Sequence, residues 1–375
     1  MDIRVDARAL QSELNLALGI VESKATIPIL SNLLLKAEGD HVELAATDLE
    51  VTLRTRCPAE VVSPGGITVP ARKFGSIVRA FATSDAPLSL KTTAEGKLFL
   101  QPVGGRQEYH LQTLPEEDYP TLLDAGGAQQ LKVPTSVFKR CISEVLVSVG
   151  MEDNRFSVRG GLLILEPDQL TMVSTDSHRL TYSQWNGPLA VEKSLRVLIP
   201  RKTLTEFLKL EDADGVTLAF RDNHIFLEMG RRFLYSRLMD TTFPAYEKVL
   251  PAESDKKAVL SRTELLERLK RVSMVAESKT RAVSVAFDPA GTLEVMVRNQ
   301  ETGDEGREYL TSETYEGEAI GIVFNVDYLI DFLTVSDAEK IVMAMKDPYY
   351  QVLFQPLRGE EESIHKYVVM PLRFD

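Results

Sequence analysis

Thr175-Asp176-Ser177-His178-Arg179 gathers a hydroxyl, an imidazole and a carboxylate within five residues, the ingredients of a nucleophilic hydrolase. The spacing works against that chemistry. Neighbours on a strand point to opposite faces, so Ser177 and His178 should not face one another. No G-x-S-x-G elbow, H-E-x-x-H pair or glycine-rich phosphate loop accompanies the cluster. The alternative is a turn at a strand end whose polar side chains bind backbone. Thr47-Asp48-Leu49-Glu50, 128 residues earlier, has the Thr-Asp pair without the histidine and arginine. The pair therefore belongs to the turn, and His178 and Arg179 to a local, non-catalytic task. His41, His110, His178, His224 and His365 stand at no ligand spacing to one another, so neither a metal nor another cofactor is expected.

A second chemistry is the capture of phosphates by paired cations. In Val69 to Arg79, Phe74, Ile77 and Val78 make an apolar helical face, with Arg72 and Arg79 on the outer side. Ile199 to Lys209 repeats the design with Leu204, Phe207 and Leu208 inside and Lys202 and Lys209 outside. The offset is constant at 130 residues (72 to 202, 79 to 209). Phe324 to Thr334 keeps the apolar face but has Asp327 and Thr334 where the cations stood. One such helix would be no more than a solvated surface. Two at one offset point to function.

These helices sit in a larger repeat. His41 to Glu50 matches Leu170 to Leu180, and Lys97 to Gln101 matches His224 to Glu228. In the third copy Leu293 to Glu301 and Gln351 to Gln355 take the corresponding places. Helix Asp6 to Glu22 and strands Ile27 to Leu35, His41 to Leu49 and Val51 to Val62 open the first copy. Linkers fall near Ala125 to Gln130 and Pro251 to Lys257. The expectation is an α+β protein of three tandem similar domains, residues 1–126, 127–254 and 255–375, each with helices on one side of mostly antiparallel strands. Tyr367 to Leu372 should be the closing strand of the third, with Met370 to Arg373 lifting off the sheet because Pro371 lacks a backbone donor.

With 44% hydrophobic and 26% charged residues the composition is that of a soluble globular protein. The N-terminus MDIRVDARAL lacks the apolar centre of a signal peptide, so a cytoplasmic location is expected, with no membrane association. Cys57 and Cys141 offer no disulfide framework and read as core thiols. A net charge of −12 argues against a broadly basic DNA-binding surface, but not against a basic lining within an acidic shell.

Eight motifs then carry a family resemblance: TIPIL (Thr26 to Leu30), ATDLE (Ala46 to Glu50), VPARKF (Val69 to Phe74), TDSHRL (Thr175 to Leu180), IPRK (Ile199 to Lys202), FPAYEKVLP (Phe243 to Pro251), FNVDYL (Phe324 to Leu329) and the terminal YVVMPLRFD. In this order, over the whole chain, they resemble the beta subunit of bacterial DNA polymerase III, the sliding clamp. The resemblance implies the DNA clamp fold in a head-to-tail homodimeric ring, helices lining the hole and sheets outside. The implied function is a non-catalytic processivity factor that tethers a replicative polymerase to duplex DNA without reading sequence.

It further implies that Lys24, Arg72, Lys73, Arg79, Arg201, Lys202 and Lys209 face or adjoin DNA. A peptide-docking cleft would comprise Val158, Thr175, Ser177, His178, Arg179, Leu180, Pro244, Lys248, Val249, Asn325, Tyr328, Tyr349, Gln351, Val368, Met370, Pro371, Leu372 and Arg373. The implied partners are the polymerase, the clamp loader, repair polymerases, ligase and mismatch-repair proteins. Ring closure would bring Tyr109 and Leu111 to Met274 and Val275 of the second chain. The sequence departs from the family at Ser177, where glycine is commoner, at Lys248 and Thr280, and in the Phe374-Asp375 extension. Two rivals remain at this point, a monomeric peptide-binding scaffold and an enzyme using Thr175 to Arg179.

Overall fold

The computed structural model describes residues 1–22, 27–83, 86–151, 158–211, 213–358 and 363–373. One element order recurs three times. The first copy runs β1 (Asp2–Val5), α1 (Ala7–Ile20), β2 (Asn32–Glu38), β3 (His41–Thr47), β4 (Val51–Ser63), β5 (Gly65–Pro70), α2 (Ala71–Phe81), β6 (Leu88–Thr92), β7 (Leu98–Pro102) and β8 (Tyr109–Leu111). The second runs β9 (Gln130–Pro134), α3 (Thr135–Leu146), β10 (Gly160–Glu166), β11 (Gln169–Thr175), β12 (Arg179–Asn186), β13 (Leu195–Pro200), α4 (Arg201–Leu208), β14 (Gly215–Arg221), β15 (His224–Met229) and β16 (Arg232–Arg237). The third comprises β17 (Lys256–Ser261), α5 (Arg262–Val272), β18 (Ala282–Phe287), β19 (Thr292–Arg298), β20 (Glu305–Thr311), a short β21 (Thr314–Glu316), β22 (Ile320–Asn325), α6 (Val326–Val335), β23 (Lys340–Met345), β24 (Val352–Pro356) and β25 (Ser363–Val369).

Local chemistry sets these boundaries. Asp6 caps α1 by accepting from Ala9 N at 2.7 Å. Pro28 opens a 3-10 turn, Pro28–Ser31, so the strand expected from Ile27 begins only at Asn32. In α2, Phe74, Gly75 and Val78 are buried while Arg72, Lys73 and Arg79 are exposed. Gly75 permits the close approach of α1, since a Cβ there would lie 2.9 Å from Leu18 Cδ1. Helices α3 and α5, which the repeat demands, were not read from the sequence.

The chain divides into two compact units, Met1–Phe138 with Lys202–Leu238, and Lys139–Arg201 with Met239–Asp375. The first holds a twelve-stranded sheet in the order β8-β7-β6-β1-β4-β16-β15-β14-β9, with β2, β3 and β5 branching from β4. The second holds a nine-stranded sheet, β13-β10-β11-β12-β25-β24-β23-β17-β21, and a four-stranded one, β20-β19-β18-β22. In each unit the fourth strand of one copy pairs antiparallel with the last strand of the next: β4 with β16, and β12 with β25.

A buried hydroxyl and carboxylate recur where these strands meet. Beside β4 and β16, Thr55 donates to the fully buried Glu13 at 2.5 Å, and Arg231 and Arg232 complete its shell. Burial alone would raise the Glu13 pKa, but Arg232 and Thr55 hold it below the ordinary carboxylate value. Beside β12 and β25, Ser183 donates to Glu144 at 2.5 Å, and the neighbouring base is His365, 3.5 Å away. Glu144 stands further along its helix than the repeat would place it, and desolvation raises its pKa.

Burial drives the His365 imidazole down to about 3 from 6.5, with Arg358 and Arg140 adding to the shift. The unfolded chain therefore binds this proton where the folded chain does not, and His365 removes stability as pH falls from about 6.5 towards 3. Glu144 acts in the opposite sense, because its folded form favours the proton above the ordinary value of 4.5. His365→Phe should flatten the loss of urea midpoint between about pH 6.5 and 4, whatever it does to stability at neutral pH. An unchanged slope would assign the acid limb to other groups.

Candidate functional site

The two Thr-Asp turns have one geometry. Thr47 Oγ1 accepts from Leu49 N at 3.1 Å and Thr175 Oγ1 from Ser177 N at 3.2 Å. Asp48 Oδ1 accepts from the backbone of Glu50 and Val51, and Asp176 Oδ1 from that of His178 and Arg179. Leu49 and Ser177 consequently adopt φ of 76° and 75°, a left-handed conformation that glycine takes without strain. The threonine hydroxyls and one oxygen of each aspartate are thus engaged by the turn's own backbone.

What differs is the second oxygen of each aspartate. Asp176 Oδ2 accepts from Arg179 Nε at 2.9 Å, making Arg179 the centre of a network. Its Nη1 reaches Asp331 at 2.6 Å and the Tyr367 hydroxyl at 3.2 Å, and its guanidinium lies 4.3 Å from the Tyr328 ring centroid. Burial pulls the Arg179 pKa down, but Tyr367, Asp331 and Asp176 more than offset this and raise it. His178, exposed, stacks on Tyr328 with centroids 6.3 Å apart.

Beside this network opens a cavity of about 380 Å3, lined by Thr175, Ser177, Arg179, Leu180, Pro244, Tyr246, Val249, Val368 and Met370. Six of these are apolar, and Arg179 marks one wall with a fixed charge. Such a cavity takes apolar side chains of an extended segment, each fully buried one contributing about 1.5–3 kcal/mol.

Eight of the expected cleft residues line this cavity. Tyr246 was missed, although it lies within FPAYEKVLP; as a tyrosine in a proline-rich loop it carried no period to mark it as buried. Val158 is buried in the apolar cluster beneath, with Leu180, Tyr246 and Val368. Tyr328 and His178 belong to the arginine network. Lys248, Asn325, Tyr349, Gln351, Pro371, Leu372 and Arg373 do not line the cavity: Asn325 caps α6 by accepting from Asp327 N, and Tyr349 is 66% exposed.

β25 is the last strand of the third copy, pairing with β24 within it and with β12 of the second copy. Its ladder ends at Val369, one further bond running from Met370 N to His178 O at 2.9 Å, and Met370 stands beside Leu180 and Val249 in the cavity lining. Past Pro371 the chain leaves that sheet, and Leu372 N donates to Val323 O of β22, in the four-stranded sheet, at 2.7 Å.

The expected basic residues divide. Lys202 is half-buried: it donates to Ile20 O at 2.9 Å and pairs with the buried Asp48. Lys209 is exposed, with its ammonium held by Glu206 at 2.7 Å. Arg201 donates to Leu146 O and Val149 O, satisfying carbonyls at the end of α3. The α4 period was read correctly, but the carboxylates that neutralise its lysines come from a distant turn and from the helix itself. Arg72, Lys73 and Arg79 remain as an exposed cationic face on α2. Lys24 lies outside the described residues.

Tyr109 and Leu111 lie on β8, which pairs only with β7 among the described residues. Leu111 is buried, and Tyr109 packs edge-on against Phe81 at 5.8 Å. Met274 is 80% exposed, in a 3-10 turn (Ser273–Val275) that follows α5. Among the described residues no helix is long and apolar enough to cross a membrane, and no group of histidine, cysteine or acidic side chains is placed to hold a metal.

Comparison with known proteins agrees with this architecture. The N-terminal, central and C-terminal domain models of the DNA polymerase III beta subunit match residues 1–123, 132–245 and 247–373. The beta sliding clamp of Pseudomonas putida is 35% identical over the full length of both chains. The crystal structure of the DNA polymerase III subunit beta from Pseudomonas aeruginosa, 32% identical, superposes with a TM-score of 0.89 over the whole of both chains. A structure of the Pseudomonas aeruginosa clamp bound to griselimycin matches with a TM-score of 0.90 at 32% identity, again over both chains in full. The chain belongs to the DNA polymerase III beta subunit family, the beta sliding clamps.

Proposed function

We propose that two copies of this chain close head to tail around duplex DNA, in domains of residues 1–126, 127–254 and 255–375, and that the cavity beside Arg179 docks short peptides of its partners. It is a processivity factor with no catalytic task of its own. The partners are the replicative polymerase, the clamp loader, repair polymerases, ligase and mismatch-repair proteins, and the setting is the bacterial cytoplasm. What supports the docking assignment is the coincidence, in one place, of an apolar cavity and a charge fixed on four sides. Griselimycin, which is bound to the Pseudomonas aeruginosa clamp, is expected to bind at the same cavity.

Ring closure follows from the strand relay. The fourth strand of one copy pairs with the last strand of the next, twice within the chain. The fourth strand of the third copy, β20, and the last strand of the first, β8, are edges, each paired on one side only among the described residues. Exposed edges invite pairing, and a head-to-tail contact made twice closes a ring. The decisive experiment loads the protein on nicked circular DNA and then linearises it. Release on linearisation supports encirclement; retention on linear DNA with free ends would overturn it.

For the DNA-facing surface, the exposed cations Arg72, Lys73 and Arg79 carry the proposal. Changing all three to glutamate should shorten residence on circular DNA severalfold at low salt, with single changes mild. Lys202 is unsuitable for charge reversal, because a glutamate there would face the buried Asp48 and destabilise the fold. Unaltered residence of the triple variant would move the DNA contact off α2.

A further inference from the structure

A second cavity, of about 240 Å3, opens in the first unit where β4 meets β16, with Arg54, Arg56, Arg231 and Arg232 in its lining beside Phe233 and Glu228. Alternation along β4 sends Thr55 inward to the buried Glu13 and turns Arg54 and Arg56 to the other face. Two of the four arginines are satisfied. Arg54 grips Glu43 through two nitrogens at 3.0 to 3.1 Å, and the buried Arg232 is shared by Glu13 and Glu211. The other two keep donors to spare. Arg56 reaches only one oxygen of the same Glu43, at 3.6 Å, with its side chain 58% exposed. Arg231 uses one terminal nitrogen on Glu13, at 2.7 Å, and stays 45% exposed.

Thr55 faces Arg232 in the last rung of the β4–β16 ladder, and Arg56 and Arg231, the residues next to that rung, both line the cavity. Like charges lining one cavity repel, and an anion between them reverses the sign of the interaction. We propose that this cavity binds a phosphoryl dianion. A carboxylate carries one charge and neutralises one of the two guanidinium groups. A phosphoryl group carries close to two at neutral pH and offers three acceptor oxygens to two planar forks. The cavity is large enough for the phosphoryl group and too small to enclose a nucleotide. The Phe233 ring forms an apolar wall at its side, with Arg54 over it at 5.8 Å. Inorganic phosphate and the phosphate of a mononucleotide present the same chemistry, and only the second would use that wall. Glu228 and Asp124, both exposed and lining the same cavity, oppose the anion and limit its affinity.

The test is calorimetric titration of the full chain with inorganic phosphate, at ionic strength held constant with chloride. One saturable site per chain in the millimolar range or tighter is expected. Arg56→Gln should weaken it about tenfold through loss of a charge-assisted contact, and Glu228→Gln should tighten it severalfold. Both side chains are largely solvated, so both variants should fold, and peptide docking at the Arg179 cavity provides the control. Adenosine monophosphate binding as phosphate does would show that the phosphoryl group alone is read; tighter binding would identify the mononucleotide as the source through the Phe233 wall. Heats that do not saturate, an affinity indifferent to Arg56→Gln, or capture of a polyglutamate peptide without phosphate binding would each overturn the proposal.

Discussion

Deleting residues 370–375 is expected to abolish binding of apolar docking peptides while leaving the dimer and its residence on DNA intact. Met370, 36% exposed, supplies a flexible thioether to the cavity wall, a side chain able to repack against peptides of different shape. Its backbone matters as well. The bond from Met370 N to His178 O holds the turn that carries Ser177 and Arg179 into the cavity, and Leu372 N fastens the chain to Val323. Truncation therefore removes one wall and loosens another. Losing the burial of two peptide anchors costs roughly 3 to 6 kcal/mol, a hundredfold or more in affinity, which titration calorimetry resolves easily. Met370→Ala separates the two contributions, since it keeps both backbone bonds and should lose only part of the affinity. Full affinity in the truncated chain would place docking elsewhere, and a monomeric truncated chain would make the tail part of the ring interface.

Leu111→Asp combined with Met274→Asp is expected to convert the dimer to monomers. The relay gives an expected register for the pair between chains. Leu53 faces Leu234 in the first unit and Thr181 faces Tyr367 in the second. Carrying the same rung to β20 and β8 is expected to put Gly306 of one chain opposite Tyr109 of the other. A Cβ on Gly306 would sit 3.0 Å from Val275 Cγ2, so Val275 already takes the place of the absent side chain and stands beside the expected position of the tyrosine. Met274 beside it is exposed and apolar, a combination that suits burial by a partner. An aspartate placed there must be desolvated without a counter-ion, at a cost of several kcal/mol per chain, paid twice in a symmetric ring. Because Leu111 is buried in the chain itself, Met274→Asp alone is the cleaner variant: it leaves the core untouched and should still weaken the dimer by two orders of magnitude in sedimentation. A mass of two chains for the double variant would sink this interface.

The threefold repeat was legible because each copy reuses the same helix face, and two of the three the same Thr-Asp turn, at nearly constant offset, and an apolar period survives heavy substitution elsewhere. The clustering of Leu180, Pro244, Val249 and Val368 about one cavity was reachable only through resemblance, since no local pattern links residues so far apart in sequence. What sequence could not reveal was charge pairing over distance. Lys202 and Arg72 occupy equivalent helix positions, yet one is neutralised by Asp48 and the other stands on an exposed face. Asp48 looked like a turn former, which it is; its second oxygen had no visible destination. The path of the tail beyond Pro371 was hidden for a related reason. Proline removes one donor, and the hydrogen bonds on either side of it depend on carbonyls at His178 and Val323 that sequence alone does not bring near.

The strand relay has a further consequence for how the molecule comes apart. The second copy contributes β9, α4 and β14 to β16 to one compact unit and β10 to β13 to the other, so the boundary between the compact units runs through the middle of a repeat. The repeated segment is therefore not expected to melt as a segment. Its halves are each stitched into a neighbour's sheet, and a protease or a denaturant meets two blocks where descent left three.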